Sequence, residues 1–116
     1  MSYDLNFWKQ NPTVRLNPQE IYERLCNGEY VEGLETLPID QIIERIRKAF
    51  SVGWTQSGDV IWECPKKAFE VYTTPQYFRV DCRGRMTGDE MNVFIDIGIE
   101  FGCPLYDPQT GVRYTG

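Results

Sequence analysis

Apolar and polar residues alternate from Tyr3 to Trp8, with Tyr3, Leu5 and Phe7 on one side and Asp4, Asn6 and Trp8 on the other. A period of two belongs to a strand with one buried face, and Asn11-Pro12 ends it. Asn17-Pro18-Gln19-Glu20 then supplies an N-cap, a proline at the first helical position and an early acid. Ile21, Tyr22 and Leu25 follow at helical spacing, which predicts a short helix stopping at Gly28. After Pro38, the apolar positions Ile39, Ile42, Ile43, Ile46, Ala49 and Phe50 make one stripe of a second helix, opposite Asp40, Gln41, Glu44, Arg45, Arg47 and Lys48.

From Val60 the period returns to two. Val60 to Cys64, Ala68 to Thr73 and Gln76 to Cys82 read as a three-stranded meander with turns at Pro65-Lys66-Lys67 and Thr74-Pro75. Val60, Trp62, Cys64, Phe69, Val71, Phe78, Val80 and Cys82 suit its buried face, and Glu63, Glu70, Tyr72, Tyr77, Arg79 and Asp81 its open one, so the sheet is expected to be covered on one side only. Charge favours a register with Glu70 opposite Arg79 and Tyr72 opposite Tyr77. A slide of two would set Glu70 against Asp81, and Pro75 is expected to need a cis bond or a looser turn.

Thr87-Gly88-Asp89-Glu90 is a capping box opening a third helix through Met91, Phe94, Ile95, Gly98 and Phe101, with Asp96 and Glu100 on its exposed strip. Alternation at residues 95–99 leaves a strand as the alternative. Pro104 to Tyr106, the turn Asp107-Pro108-Gln109-Thr110-Gly111 and Val112 to Tyr114 close the chain as a hairpin. Asp107 stands alone as a carboxylate, which is a turn residue's setting and not that of a calcium loop. The expected fold is α+β, one domain over 1–116: a two-layer sandwich of a mainly antiparallel sheet with helices on one face, in the order β-α-α-β-β-β-α-β.

Composition narrows the chemistry. The chain has no histidine, which removes the commonest general base and metal ligand, and no Walker, Rossmann, HExxH or GxSxG motif. A protein without catalysis, cofactor or metal is therefore expected. Its four cysteines (Cys26, Cys64, Cys82, Cys103) form no close pair and read as buried thiols of a reducing compartment. Met1 to Trp8 lacks the basic and apolar runs of a secretory signal, and no apolar stretch is long enough to span a bilayer; a cytoplasmic protein is expected.

Charge then supplies a location. Against a net charge of −5 for the whole chain, Asn17 to Glu44 holds seven acids and only Arg24, a local excess of six negative charges. That sign argues against nucleic acid and for a basic partner. The candidate binding residues are Glu29, Glu32, Glu35 and Asp40 of this segment, Glu70, Tyr72, Tyr77 and Arg79 of the open sheet face, and Trp54 as an aromatic anchor. The alternative for these is a solvated acidic face and a Trp54 folded back on the core. A small-molecule or peptide-binding regulatory module, using the open sheet face or a groove beside the first helix, is the alternative function. A carboxylate- or Tyr-based enzyme is a third.

The opening MSYDLNFW, the central CPKKAFEVYTTPQYFRVDC and the closing GCPLYDPQTGVRY resemble the small cytoplasmic immunity proteins of bacterial polymorphic-toxin and contact-dependent growth inhibition systems. The resemblance implies an inhibitor that neutralises a cognate toxin domain by tight binding. It assigns no binding residue, because such families vary most where they touch their toxin.

Overall fold

The computed structural model describes residues 2–114. Strands β1 (Ser2–Phe7), β2 (Thr55–Gly58), β3 (Ile61–Cys64), β4 (Lys67–Thr74), β5 (Tyr77–Gly84), β6 (Leu105–Asp107) and β7 (Val112–Tyr114) form one antiparallel sheet in the order β2-β3-β4-β5-β1-β6-β7. Helices α1 (Pro18–Cys26) and α2 (Ile39–Ala49) follow β1, and α3 (Gly88–Glu100) follows β5. The α+β class and the order of elements are those expected, with β2 added and the closing hairpin present as two strands, β6 and β7. Thr55 to Gly58 is polar and mostly exposed, so only its backbone pairing with β3 marks it as a strand.

The caps explain the helix boundaries. Asn17 Oδ1 accepts from Gln19 N at 2.8 Å, and Pro18 occupies the first turn of α1, where its missing N–H costs nothing. The capping box of α3 is complete: Thr87 Oγ1 accepts from Glu90 N (3.1 Å) and Glu90 Oε1 from Thr87 N (2.9 Å). Glu90 also accepts from Lys67 Nζ at 2.6 Å, fastening the start of α3 to β4. Burial pushes the Glu90 carboxyl up, but these hydrogen bonds outweigh it and hold the group below its usual range.

The core lies on both faces of the sheet, which corrects the expectation of a single covered side. On one face α2 and α3 pack Ile42, Ile46, Phe50 and Phe94 against Phe7, Trp62, Phe69, Phe78 and Val80. On the other, α1 sets Ile21 and Leu25 against Trp8, Tyr77 and Tyr106. Asn6 and Tyr77 are therefore buried, with the tyrosine hydroxyl donating to Asn6 Oδ1 at 2.5 Å. The expectation missed this because β1 lies inside the sheet, between β5 and β6, and its second face needs a cover.

The β4–β5 register also differs from the expected one. Tyr72 faces Arg79 and Glu70 faces Asp81, because Pro75 and Gln76 form a two-residue turn between Thr74 and Tyr77. Pro75 fits the second position of such a turn with a trans bond, and no cis peptide occurs among the described residues. The opposed carboxylates are tolerated because each has an arginine: Arg79 Nε donates to Asp81 at 2.8 Å, and Arg83 Nη2 lies 3.5 Å from Glu70. Turn chemistry outweighs cross-strand charge here.

Two close approaches require glycine. In α3, a Cβ on Gly98 would stand 2.6 Å from a Phe7 ring carbon and 2.7 Å from the Cys103 carbonyl oxygen, so the helix can cross β1 only there. Gly84, at φ +75, faces Lys67, and its Cβ would meet the Lys66 carbonyl oxygen at 2.2 Å. Lys66 itself has φ 72 behind Pro65, the signature of a type II turn whose third position prefers glycine. Lys66→Gly is expected to raise stability by about 0.5–1 kcal/mol, read as a higher urea midpoint at unchanged slope. A lower midpoint would show that the Lys66 side chain outweighs the backbone cost.

Candidate binding surface

The segment between α1 and α2 is built on apolar residues three apart. Val31, Leu34 and Leu37 are buried, the intervening Glu32 and Glu35 face solvent, and so do Glu29 and Tyr30 just ahead of Val31, Tyr30 being 76% exposed. The segment is pinned to the β4–β5 turn. Gln76, 3% exposed, accepts from Val31 N (2.9 Å) and donates to the carbonyls of Val31 (2.9 Å) and Leu34 (3.1 Å). Leu37 N adds a hydrogen bond to Pro75 O at 2.7 Å, and Glu35 N one to Lys9 O at 2.8 Å. Asp40, exposed in the first turn of α2, lines a depression with Thr73, Thr74 and Pro75 at the same turn. Carboxylates on a loop without regular structure are thus held in fixed positions.

Some of these charges are balanced locally and some are not. Glu35 has Lys9 at 3.9 Å, Glu20 has Arg24 at 3.5 Å, and Glu44 pairs with Arg47. Glu29, Glu32 and Asp40 have no ion-pair partner among the described residues.

The expected sheet-face residues divide. Arg79 lies over the Tyr72 ring, 4.8 Å from its centroid, and is bidentate to Asp81 at 2.8 and 3.3 Å. Burial acts against its charge, but the Asp81 pair keeps the guanidinium protonated. The Tyr72 hydroxyl stands beside Gly28, immediately before Glu29, so the sheet-face patch runs into the acidic segment. Glu70 sits farther along β4. Asp4 faces Asp81 directly across β1 and β5; desolvation first, and then the Asp81 carboxylate, raises its pKa above the ordinary 3.8. The cation that two adjacent carboxylates favour is already in place as Arg79, bound to Asp81.

Of the candidate residues, Tyr77 is closed to a partner and Trp54 is only half-buried. Tyr77 is fully buried beneath α1, with Cys26 Sγ 3.7 Å from its hydroxyl. Trp54 folds onto the core, edge-on to Phe50 (5.4 Å) and Phe69 (5.2 Å), with Lys67 Nζ over its ring. Of the thiols, only Cys82 and Cys103 are buried, and burial pushes them up to about 12 and about 11; Cys26 and Cys64 are partly exposed, which corrects the uniform expectation. All four are free.

The chain matches no protein-family model and no curated protein. Among the described residues no group of three His, Cys, Asp or Glu side chains is placed to hold a metal ion, and no helix is long and apolar enough to cross a membrane.

Tyr30 and Gln76 were not singled out from the sequence. The spacing of Val31, Leu34 and Leu37 carries the signal for Tyr30, since three buried positions three apart leave their neighbours outside. Nothing local carries the signal for Gln76, whose partners lie more than forty residues away. An apolar groove lies beside α3, lined by Met91, Ile95 and Ile99.

Proposed function

We propose that this protein acts by binding and not by turnover, capturing a basic protein domain on the acidic segment Glu29 to Asp40 and occluding its active site. The observation that carries this reading is the pinning of that segment by Gln76, which holds Glu29, Tyr30 and Glu32 outward before any partner arrives. Preorganisation spares the ordering cost of binding, unpaired carboxylates speed encounter with a positive cleft, and an exposed tyrosine is a frequent hot spot. Tyr72, beside Gly28, extends the same surface. With the resemblance of both chain ends to immunity proteins, the partner is a cognate bacterial toxin domain met in the cytoplasm, where free thiols persist.

Co-expression with the product of the neighbouring upstream reading frame tests the reading. A stable complex is expected, and Glu32→Lys with Glu35→Lys is expected to slow association roughly tenfold at low salt, with the difference shrinking as salt rises. An unchanged association rate would remove the acidic segment from the interface. Turnover of a compound by the pure protein would remove the inhibitor reading altogether.

A further inference from the structure

Helices α2 and α3 leave the β1-β6-β7 end of their face of the sheet uncovered. The result is a groove of about 670 Å³ with Leu5, Leu105 and Tyr114 on its floor and Met91, Ile95 and Ile99 on its α3 wall. Those three wall residues recur every four positions, a stripe along the outer side of a helix whose inner side, Phe94 and Ile97, is in the core. Ile99 is 61% exposed and Tyr114 52%, although both are large apolar side chains. Among the described residues Asp107 is the only charged one lining the groove, and Asp96 is exposed on the α3 side next to the stripe. Neither has an ion-pair partner among the described residues.

We infer that this groove is a second interaction surface, which takes an amphipathic helix of a protein partner with an apolar stripe flanked by lysine or arginine. The helix lies beside α3 and supplies the cover that the sheet lacks at this end. Charge complementarity selects that occupant, since an apolar floor between Asp96 and Asp107 favours apolar contact below and cationic side chains at the edges. A small polar ligand is a poor fit, because the lining is predominantly apolar. A second copy is also a poor fit: each copy carries a net charge of −5 and would bring its own Asp96 and Asp107 to the edge, and β7 pairing with itself about its middle residue would oppose Arg113 to Arg113. An anionic membrane surface is repelled by the same carboxylates. The groove and the acidic segment are separate surfaces, and the inference does not rest on the toxin-capture reading.

The test uses a synthetic amphipathic helix of about 14 residues, matched to the length of α3, with leucine on one stripe and lysine at its flanks, labelled for fluorescence anisotropy. Binding with a Kd on the order of 10 μM is expected, weakened at least tenfold by Ile99→Glu. The same peptide with glutamate flanks is expected to bind several-fold more weakly, and Asp96→Asn with Asp107→Asn to narrow that difference. Ile99 is exposed, so its variant should fold, which circular dichroism checks; Val52→Glu, at a still more exposed apolar residue outside the groove, is expected to leave binding unchanged. Absent binding, binding indifferent to Ile99→Glu, or no preference between the two peptides would overturn the inference. Self-association in sedimentation that Ile99→Glu abolishes would overturn it in favour of a second copy, and retention on anionic phospholipid vesicles in favour of a membrane.

Discussion

Replacing Gln76 by Ala is expected to lower the unfolding free energy by about 3 kcal/mol, although Gln76 lies in a turn and its replacement removes no apolar contact of the main core. Its amide makes three hydrogen bonds with Val31 and Leu34, and truncation leaves Val31 N and Leu34 O to find water beneath a buried segment, with Val31 O keeping only the 3.4 Å bond from Leu34 N. Each stranded group costs roughly 1–3 kcal/mol, reduced where the segment lifts to admit solvent. Lifting is the functional part of the prediction. Hydrogen exchange at Val31 and Leu34 should accelerate well beyond the change in global stability, and capture of the basic partner should weaken without the loss of a single carboxylate. Retained protection at Val31 would show that the apolar anchors alone hold the segment. Gln76→Glu is the sharper variant, because it puts a charge where the donor to two carbonyls must be.

Phe69→Ala is expected to cost about 3–5 kcal/mol, a large part of the stability of an ordinary domain. Phe69 is the aromatic hub of the α2/α3 face. Trp62 stacks on it at 5.1 Å, and Phe50, Phe94 and Trp54 close around it at 4.8, 4.9 and 5.2 Å. No single neighbour can fill the space left by a ring in contact with three different elements, so the cavity persists and its cost adds to the lost transfer energy. Urea denaturation measures the loss, and tryptophan emission should shift to the red in the folded variant as Trp54 and Trp62 gain water. A cost below about 1.5 kcal/mol would mean that the cluster repacks freely.

The helices were legible because their signals are local. Asn17-Pro18, the Thr87–Glu90 box and the isoleucine stripe of α2 each act within a few residues, and the caps form as those residues predict. The register of β4 and β5 was misread because cross-strand charge was weighed above the turn. Glu70 opposite Asp81 looks forbidden only until Arg83 and Arg79 are placed beside them. The burial of Asn6 and Tyr77 was not legible at all. It depends on β1 joining two parts of the sheet distant in sequence, and on α1 crossing the face that alternation marked as open. The acidic segment was visible as charge, yet its rigidity rests on a glutamine that composition treats as an ordinary turn residue.

The placement of β1 has a kinetic consequence. Leu5 meets Val80, and Asn6 meets Tyr106, so the middle of the sheet is closed by contacts that span most of the chain. During synthesis the earliest strand emerges without either neighbour and must wait, its Phe7 and Trp8 uncovered, until the last hairpin has left the ribosome. Folding then proceeds at the pace of long loop closures and not of local helices, and in that interval a chaperone has its longest opportunity to hold the nascent chain.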